Sequence, residues 1–274
     1  MRIKVTFVPQ KFPASFPLDN HPLSSLIYRI IGGVDPEYAE FLHEDGYAVR
    51  PELEPPRIAG SVGKGSLKRF RFFVYSRLFL PGAYIEDGRL WCKPGTVEWQ
   101  IASPIPELME ALVMGLGGAG SVTIGDRDGV TEMEVAEIAM VEPPRFVRRM
   151  RFTLLSPITV SMEERGPQGE RRKHYLRADE PEFGSLVAEN LREKYRALTG
   201  AEPPDASLEF DFDWDYIRRR GGPERVSKLV SYKGTRIKAY LAPFTVRGSE
   251  ELIALGWESG FGVANAQGFG MARG

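Results

Sequence analysis

The sequence predicts an α+β protein built from two tandem ferredoxin-like (RRM-like) domains, each with the element order βαββαβ. Three observations support this prediction. The chain has 274 residues, which suits two domains of ordinary size better than one. Apolar periodicity gives the order strand, helix, strand, strand, helix, strand twice. The pair Pro143-Pro144 separates the halves, so we expect domains at residues 1–143 and 144–274.

The first half opens with an alternating strand, Arg2 to Val8, and a helix from Pro22 to Ile31. Asp35-Pro36 is a cap followed by a proline at the first helical position, and it predicts a second helix that Gly46 ends. We expect the remaining elements to be an aromatic strand 69–79, a turn 86–89, a return strand 89–93, a helix 103–114 and strands 121–125 and 133–141.

The second half repeats this order. We expect a strand 146–160, a charged loop 163–177, a helix 182–198, strands 207–214, 225–232 and 236–246, a helix 249–257 and a short strand 268–272. The halves share no evident sequence identity, so the repeat is one of architecture.

The composition excludes several classes of protein. A hydrophobic fraction of 42% and a charged fraction of 27% are ordinary for a globular protein. We expect no membrane span, no secretory leader and a cytoplasmic protein, because no stretch approaches eighteen apolar residues. The lone Cys92 excludes an internal disulfide and a thiolate zinc cluster, and His21, His43 and His174 lack ligand spacing. We therefore expect no metal and no cofactor.

A double glycine doublet near the end of the chain is the most specific motif. Gly260-Phe-Gly262 and Gly268-Phe-Gly270 stand five residues apart. Glycine reaches positive φ at low cost and lets backbone N–H groups face a ligand, although a helix cap and a bulge would use glycine as well. The order helix, loop, strand excludes a Rossmann or Walker site.

Two side chains on successive helices can face one cleft as an acid–base pair that needs no metal. The apolar stripe of the first helix leaves Tyr28 at its flank, and His43 lies near the end of the second helix. In RNA, a 2′-hydroxyl can attack its own phosphate when a base, an acid and a cation are present. Arg71 or Lys68 could be the cation. Each residue also has a structural alternative. Tyr28 could be an amphipathic helix-edge residue and His43 a solvated helix cap, while Lys68 and Arg71 could form the solvent face of a strand.

The net charge of −1 hides strong segregation. Residues 145–177 hold nine Lys or Arg against three Asp or Glu, and residues 216–247 hold nine against one. Such blocks are often solvated surfaces, but two of them could form one polyanion-binding face. The candidate RNA contacts are Lys68, Arg171, Arg172, Lys173, Arg218, Arg219, Arg220, Lys233, Arg236 and Lys238.

The glycine loop resembles the signature of the CRISPR-associated repeat-processing endoribonucleases of the RAMP superfamily, which is Gly-hydrophobic-Gly, five residues, Gly-hydrophobic-Gly. Other segments follow that family's order and approximate spacing, so the resemblance covers nearly the whole chain. They are Leu26-Ile27-Tyr28, Phe41-Leu42-His43-Glu44, residues 72–76 and Leu155-Ser156-Pro157-Ile158.

The resemblance implies tandem ferredoxin-like folds and metal-independent cleavage of CRISPR repeat RNA into guide RNAs for antiviral defence, with 2′,3′-cyclic phosphate and 5′-hydroxyl ends. Tyr28 would match the base and His43 the acid, and these two roles could be exchanged. The family's lysine falls at Arg71, with Lys68 nearby. Gly260, Gly262, Gly268 and Gly270 would line an RNA-binding groove.

One departure from the family pattern concerns the spacer between the doublets. It normally holds Lys or Arg, whereas residues 263–267 here hold none. The alternative function is a non-catalytic RAMP subunit that holds guide RNA in a CRISPR effector complex. An unrelated two-domain protein with a chance glycine loop is a third reading. Effector-complex subunits and a homodimer are partners that the sequence leaves open.

Overall fold

The structure is a computed structural model that describes residues 1–49, 68–165 and 170–274. The elements of its first part are β1 (Arg2–Pro9), β2 (Ala14–Pro17), α1 (His21–Val34), α2 (Pro36–Glu44), β3 (Tyr47–Ala48), β4 (Arg69–Phe70), β5 (Val74–Tyr75), β6 (Tyr84–Glu86), β7 (Arg89–Cys92), β8 (Val97–Ala102), α3 (Pro106–Ala119), β9 (Ser121–Asp126) and β10 (Gly129–Met140). Within the described residues, the main sheet of this part has the antiparallel order β5-β8-β1-β10-β9.

The second part continues with β11 (Arg149–Leu154), β12 (Ser161–Arg165), β13 (Arg171–Tyr175), α4 (Glu182–Thr199), β14 (Leu208–Phe212), α5 (Trp214–Arg219), α6 (Pro223–Val226), β15 (Ser227–Tyr232), β16 (Thr235–Tyr240), β17 (Phe244–Gly248), α7 (Glu250–Ser259), a 3-10 turn (Asn265–Gln267) and β18 (Ala272–Arg273). Its sheet has the order β14-β17-β11-β18. The hairpins β12–β13 and β15–β16 are separate two-stranded additions.

Both main sheets follow the ferredoxin-like strand order, in which the fourth strand lies beside the first, then the third and the second. In the first part this is β10-β1-β8-β5, and in the second part it is β18-β11-β17-β14. The expected α+β architecture of tandem ferredoxin-like domains is therefore confirmed. The boundary at Pro143-Pro144 stays a prediction.

The hydrophobic core includes the apolar faces of β1 and α1. Ile3, Val5 and Phe7 alternate on the buried face of β1, as a strand period of two requires. The expected stripe of α1 is buried in the same hydrophobic cluster, and it consists of Leu23, Leu26, Ile27, Ile30 and Ile31. None of the helices in the described ranges is long and apolar enough to cross a membrane.

Two expected strands end earlier than predicted. The strand expected at 69–79 breaks at Phe72, whose φ of 51° is left-handed. Because this residue turns the chain, β4 pairs with β3 while β5 pairs with β8. The strand expected at 146–160 ends at Leu154, shortly before Pro157, a residue that cannot donate to a ladder.

Two further expectations were wrong about pairing. Much of the charged loop expected at 163–177 forms the hairpin β12–β13, because its flanks pair from Ser161 to Tyr175. The strand expected at 236–246 is two strands in different sheets. β16 pairs with β15, whereas β17 lies between β11 and β14. Pro243 lies between β16 and β17 and interrupts the backbone donors.

A buried guanidinium joins the first strand to the end of the chain. Arg2 is 1% exposed. It donates to the carbonyl oxygens of Ala272 (2.8 Å) and Trp257 (2.5 Å) and stacks 3.9 Å from the centroid of the Trp257 ring. Burial lowers the pKa of Arg2 to about 9, with Glu258 opposing, so the group stays charged at neutral pH.

A carboxylate from the first part holds the β15–β16 hairpin of the second. Asp19 accepts hydrogen bonds from the Ser231 hydroxyl (2.7 Å) and from the backbone N–H groups of Lys233 (3.2 Å) and Gly234 (3.3 Å). Lys233 and Gly234 have φ of 49° and 75°, as the two central residues of a type I′ turn require. Asp19 also accepts from the N–H of His21 at 2.8 Å, so the hairpin and the start of α1 are held together.

We predict that Asp19→Ala lowers the free energy of unfolding at pH 7 by about 1–3 kcal/mol, because four hydrogen-bond donors lose their shared charged acceptor. Burial opposes ionisation of Asp19, but its hydrogen bonds outweigh this and hold its pKa below the usual 3.8. A lowered pKa means that the carboxylate stabilises the fold above about pH 4 and that this contribution is lost as the pH falls through the folded-state value.

Urea unfolding of the wild type and Asp19→Ala between pH 7 and pH 2.5 measures this difference, which should shrink at the acid end. Asp215→Ala is the control, because its carboxylate is highly exposed and pairs only with Arg218 in the described structure. It should cost at most about 1 kcal/mol. Equal stability of the wild type and Asp19→Ala at pH 7 would contradict the prediction.

Candidate active site

A cavity of about 720 Å³ lies where both parts of the protein meet. Its walls come from α1, the end of α2, the segment through β4, the middle of α4, the β15–β16 turn and the glycine loop. The lining side chains that carry polar or charged groups are His21, Ser24, Ser25, Tyr28, His43, Lys68, Arg69, Arg71, Asn190, Lys194, Tyr232, Lys233, Ser259, Asn265 and Gln267.

Tyr28 and His43 are in contact in this cavity. Their ring centroids are 5.4 Å apart and the rings meet edge to face. Asp35 caps α2 by accepting the N–H of Tyr38 at 2.9 Å, so the helix start sets where His43 lies two turns later. His43 is 59% exposed, and its Nδ1 lies 2.6 Å from a carboxylate oxygen of Glu44.

Arg71 lies against both of these residues. Its Nη2 donates to the carbonyl oxygen of His43 at 2.8 Å. Gly46 makes room for it, because a Cβ on Gly46 would lie 2.7 Å from the carbonyl oxygen of Phe70 and 3.0 Å from the Arg71 side chain. Burial raises the pKa of Tyr28, and the Arg71 guanidinium opposes that rise in part. The Tyr28 hydroxyl therefore keeps its proton at neutral pH.

The structure gives the four motif glycines a packing role. Gly260, Gly262, Gly268 and Gly270 are buried and have φ between 71° and 86°. A Cβ on Gly260 would lie 2.9 Å from Val74, and one on Gly268 would lie 2.7 Å from both Asn20 and Tyr75. The amides of Gly268 and Gly270 bond to Asn265 and Pro157 carbonyls. RNA contact by these glycines stays a prediction. Because they are buried, the part of the loop that is accessible to RNA is the partly exposed spacer, residues 263–267.

A buried ammonium group supports this spacer. Lys194 on α4 is 2% exposed. Its Nζ donates to the carbonyl oxygens of Ser259 (3.3 Å) and Gly260 (2.6 Å) and to Oδ1 of Asn265 (2.8 Å). These acceptors engage the three N–H groups of an ammonium. Burial lowers the pKa of Lys194, with Lys68 adding to the effect, while the acceptors favour the charged form.

Sequence reasoning missed Lys194, although a signal was present. It lies in the apolar stripe of α4 with Phe183, Val187 and Leu191, and Asn190 is one turn before it. A lysine in an apolar stripe indicates a buried charge with partners. The spacer that holds no cation of its own is thus supported by a cation from another element.

His21, Ser25 and Tyr232 are cavity residues that the sequence did not assign to the site. His21 Nε2 lies 3.1 Å from the Ser25 hydroxyl, and its ring meets that of Tyr232 edge to face at 5.7 Å. His21, Ser25 and Tyr28 stand at i, i+4 and i+7, so helical spacing alone places them on one face. His174 lies outside the cavity and contacts Glu180 at 3.0 Å.

The structure places the predicted basic residues at different distances from the cavity. Lys68, Arg71 and Lys233 line the cavity. Burial and the charge of Lys68 lower the pKa of Lys173, so Lys173 on β13 lies near this rim. The others do not line the cavity, and they are Arg172, Arg218, Arg219, Arg220, Arg236 and Lys238. The Arg171 side chain lies outside the part of the chain that the structure describes.

Four of these residues have protein partners. Arg172 pairs with Glu170 at 2.7 Å, Arg218 pairs with Asp215, Lys238 pairs with Glu224 at 2.9 Å, and Arg220 lies over the Tyr216 ring. Arg218 and Arg219 end α5, and Arg220 is its C-cap.

Comparisons with known proteins agree with this architecture. Residues 141–273 match the family model described as CRISPR associated protein Cas6, C-terminal. The chain is 26% identical over 279 residues to the CRISPR-associated endoribonuclease Cas6 of Pyrococcus furiosus, a match that covers 100% of this chain and 89% of the relative. Residues 141–273 thus match the Cas6 C-terminal family, and the whole chain resembles Cas6 endoribonucleases. The resemblance seen in its glycine loop is thus confirmed.

Further comparisons agree with this resemblance. The chain is 24% identical over 274 residues to CRISPR-associated endoribonuclease Cas6 1 of Methanocaldococcus jannaschii, which covers 99% of this chain and 91% of that protein. A solved structure of a Cas6-related protein from Pyrococcus furiosus superposes with a TM-score of 0.78 at 20% identity, over 100% of this chain and 97% of the other. At that identity the superposition establishes the fold.

We predict that Lys194→Met lowers the free energy of unfolding by about 1–3 kcal/mol, because the Ser259, Gly260 and Asn265 oxygens lose their donor. Urea unfolding at pH 7 measures the effect. Lys4→Met is the matched control, because Lys4 is partly exposed and its pairing with Glu98 is long, at 3.5 Å; this change should cost at most about 1 kcal/mol. A Lys194→Met protein as stable as the wild type would show that these bonds do not hold the glycine loop.

Proposed function

We propose that this protein is a metal-independent endoribonuclease that binds CRISPR repeat RNA and cleaves it to mature guide RNAs. The observation that carries the proposal is the convergence of Tyr28, His43 and Arg71 in one cavity with a cationic rim. Two relatives that align over nearly the whole chain are named CRISPR-associated endoribonucleases. This supports RNA cleavage as the activity of the site.

The roles of the two rings follow from their proton states. A carboxylate can only accept, so Nδ1 of His43 is the donor in its 2.6 Å contact with Glu44. In the neutral ring Nε2 then keeps its lone pair and can act as a base. Tyr28 keeps its proton because burial raises its pKa. Of the two assignments that the sequence leaves open, we therefore favour His43 as the base and Tyr28 as the proton donor.

The proposed reaction balances without a further reactant. Nε2 of His43 takes the proton of the 2′-hydroxyl, and the 2′-oxygen forms a bond to phosphorus. The bond from phosphorus to the 5′-oxygen breaks, and Tyr28 donates a proton to that oxygen. Arg71 stabilises the charge of the phosphorane. The products are a 2′,3′-cyclic phosphate and a 5′-hydroxyl.

Protein side chains supply the base, the proton donor and the cation, so the proposed chemistry uses no metal ion. Within residues 1–49, 68–165 and 170–274, no group of three or more His, Cys, Asp or Glu side chains is placed to hold one.

A second candidate function is a non-catalytic RAMP subunit that holds guide RNA in an effector complex. The observation in its favour is the spacer, residues 263–267, which has no Lys or Arg to contact a scissile phosphate. The two functions differ in one measurable property. The second predicts tight RNA binding with no cleavage product over hours.

We predict that His43→Ala lowers the single-turnover cleavage rate of a CRISPR repeat RNA in EDTA by about 10²- to 10⁴-fold, as loss of a positioned proton-transfer group does. End-group analysis of the wild-type products should find 2′,3′-cyclic phosphate and 5′-hydroxyl ends. His174→Ala is the matched control and should cleave like the wild type, since His174 does not line the cavity. Cleavage by His43→Ala at the wild-type rate would refute the assignment.

We predict that Tyr28→Phe cleaves repeat RNA more slowly than the wild type. This defect should disappear when the leaving 5′-oxygen of the RNA is replaced by sulfur. A thiolate leaves without a proton, so a missing proton donor no longer matters, whereas a missing base still does. Cleavage rates of both RNAs by Tyr28→Phe and His43→Ala provide the measurement, and His43→Ala should stay slow on both. The reverse pattern would exchange the two roles.

A further inference from the structure

We propose that the turn of the β15–β16 hairpin and His21 form a subsite that binds one unpaired ribonucleotide beside the scissile phosphate, with its base stacked at Tyr232 and its phosphate near Lys233. The inference rests on the proposed function. It adds a nucleotide contact that neither the glycine motif nor the Tyr28–His43 pair provides.

The first line of argument is aromatic. Tyr232 and His21 belong to different parts of the protein, yet their rings meet edge to face at 5.7 Å and both line the cavity. In an edge-to-face pair, at least one ring keeps both of its faces clear of the other. Unpaired RNA bases stack on Tyr and His side chains. A duplex, whose bases are stacked already, would not fit this contact.

The second line is the rigidity of the hairpin turn. Lys233 adopts a φ of 49°, which is uncommon for a residue other than glycine. Asp19 holds this turn through the N–H groups of Lys233 and Gly234 and the Ser231 hydroxyl. The Tyr232 hydroxyl reaches the Ser24 hydroxyl at 3.4 Å. The Tyr232 ring and the backbone of Lys233 are thus preorganised at the cavity wall, which lowers the entropic cost of binding.

The third line is distance along α1. His21 and Tyr28 are seven residues apart on one helical face, which corresponds to about 10 Å at 1.5 Å per residue. With that separation along the helix, His21 is placed to contact a nucleotide next to the one whose phosphate Tyr28 and His43 contact.

Charge in the subsite suits a nucleotide. Lys233 is exposed at the turn and can neutralise one phosphate. Burial and the charge of Lys233 lower the pKa of His21, with Asp19 opposing, so the imidazole is neutral at pH 7 and stacks without repelling Lys233. The Ser25 hydroxyl, 3.1 Å from His21 Nε2, keeps the ring in place.

The experiment combines protein variants with an RNA scan. Wild-type protein first maps the cleavage position, and a 2′-deoxy nucleotide there makes the RNA uncleavable. Single abasic nucleotides are then placed at each of the three positions on either side. We expect one abasic position to weaken wild-type binding by about 5- to 100-fold, the typical loss for a base stacked on an aromatic ring. Tyr232→Ala should bind intact RNA more weakly by a similar factor. An abasic nucleotide at that one position should weaken its binding no further.

Two control variants bracket the result. Tyr232→Phe keeps the ring and should bind like the wild type, and Tyr84→Ala removes an exposed hairpin tyrosine that does not line the cavity. His21→Ala tests the opposite wall, so the subsite stays testable if Tyr232→Ala fails to fold. The binding of RNA by His21→Ala should likewise be insensitive to an abasic nucleotide at the same position.

The outcomes separate the two proposals. If the wild type neither cleaves nor binds repeat RNA, the proposed function fails. If the wild type cleaves, but both Tyr232→Ala and His21→Ala retain the wild-type sensitivity at every abasic position, the subsite is refuted while the nuclease stands.

Discussion

The glycine loop must pass through the junction of the two domains, and the buried ammonium of Lys194 holds it there. Lys194 bonds to the carbonyl oxygens of Ser259 and Gly260 and to the amide of Asn265, whose Nδ2 donates to the carbonyls of Phe261 and Phe269. The Asn265 side chain thus links both glycine doublets. A buried charge is tolerated only where acceptors surround it, so the loop and α4 require each other.

The first domain completes the junction from the other side. Asn20 donates to the carbonyl of Gln267 at 3.0 Å, and Ser24 donates to that of Ala266 at 2.9 Å. Arg2 and Asp19 add contacts at the end of the chain and at the β15–β16 turn. Ser24 therefore both stabilises the junction and lines the cavity. Glycine is needed where these elements approach, since a Cβ on Gly268 would meet Asn20 and Tyr75.

The cavity places opposing demands on its side chains. Tyr28 is held between Phe73 and His43, where burial keeps its proton in place. His43 is exposed to solvent, and its Nδ1 contacts Glu44. Arg71 reaches both because the chain turns at Phe72. A protonated phenol, an accessible imidazole and a fixed guanidinium at one point are what transfer of the 2′-hydroxyl proton and stabilisation of a phosphorane require.

The sequence by itself determined the tandem ferredoxin-like architecture and the family resemblance, because periodicity, caps and the glycine motif are local. It also named Tyr28, His43 and Arg71, which the structure brings together, although their roles stay predictions. Only the tertiary structure decided that residues 236–246 divide between two sheets, that the motif glycines are buried, and that Lys194, His21 and Tyr232 line the cavity. Strand partners and contacts between distant elements depend on how the two domains pack, and local periodicity carries no record of that packing.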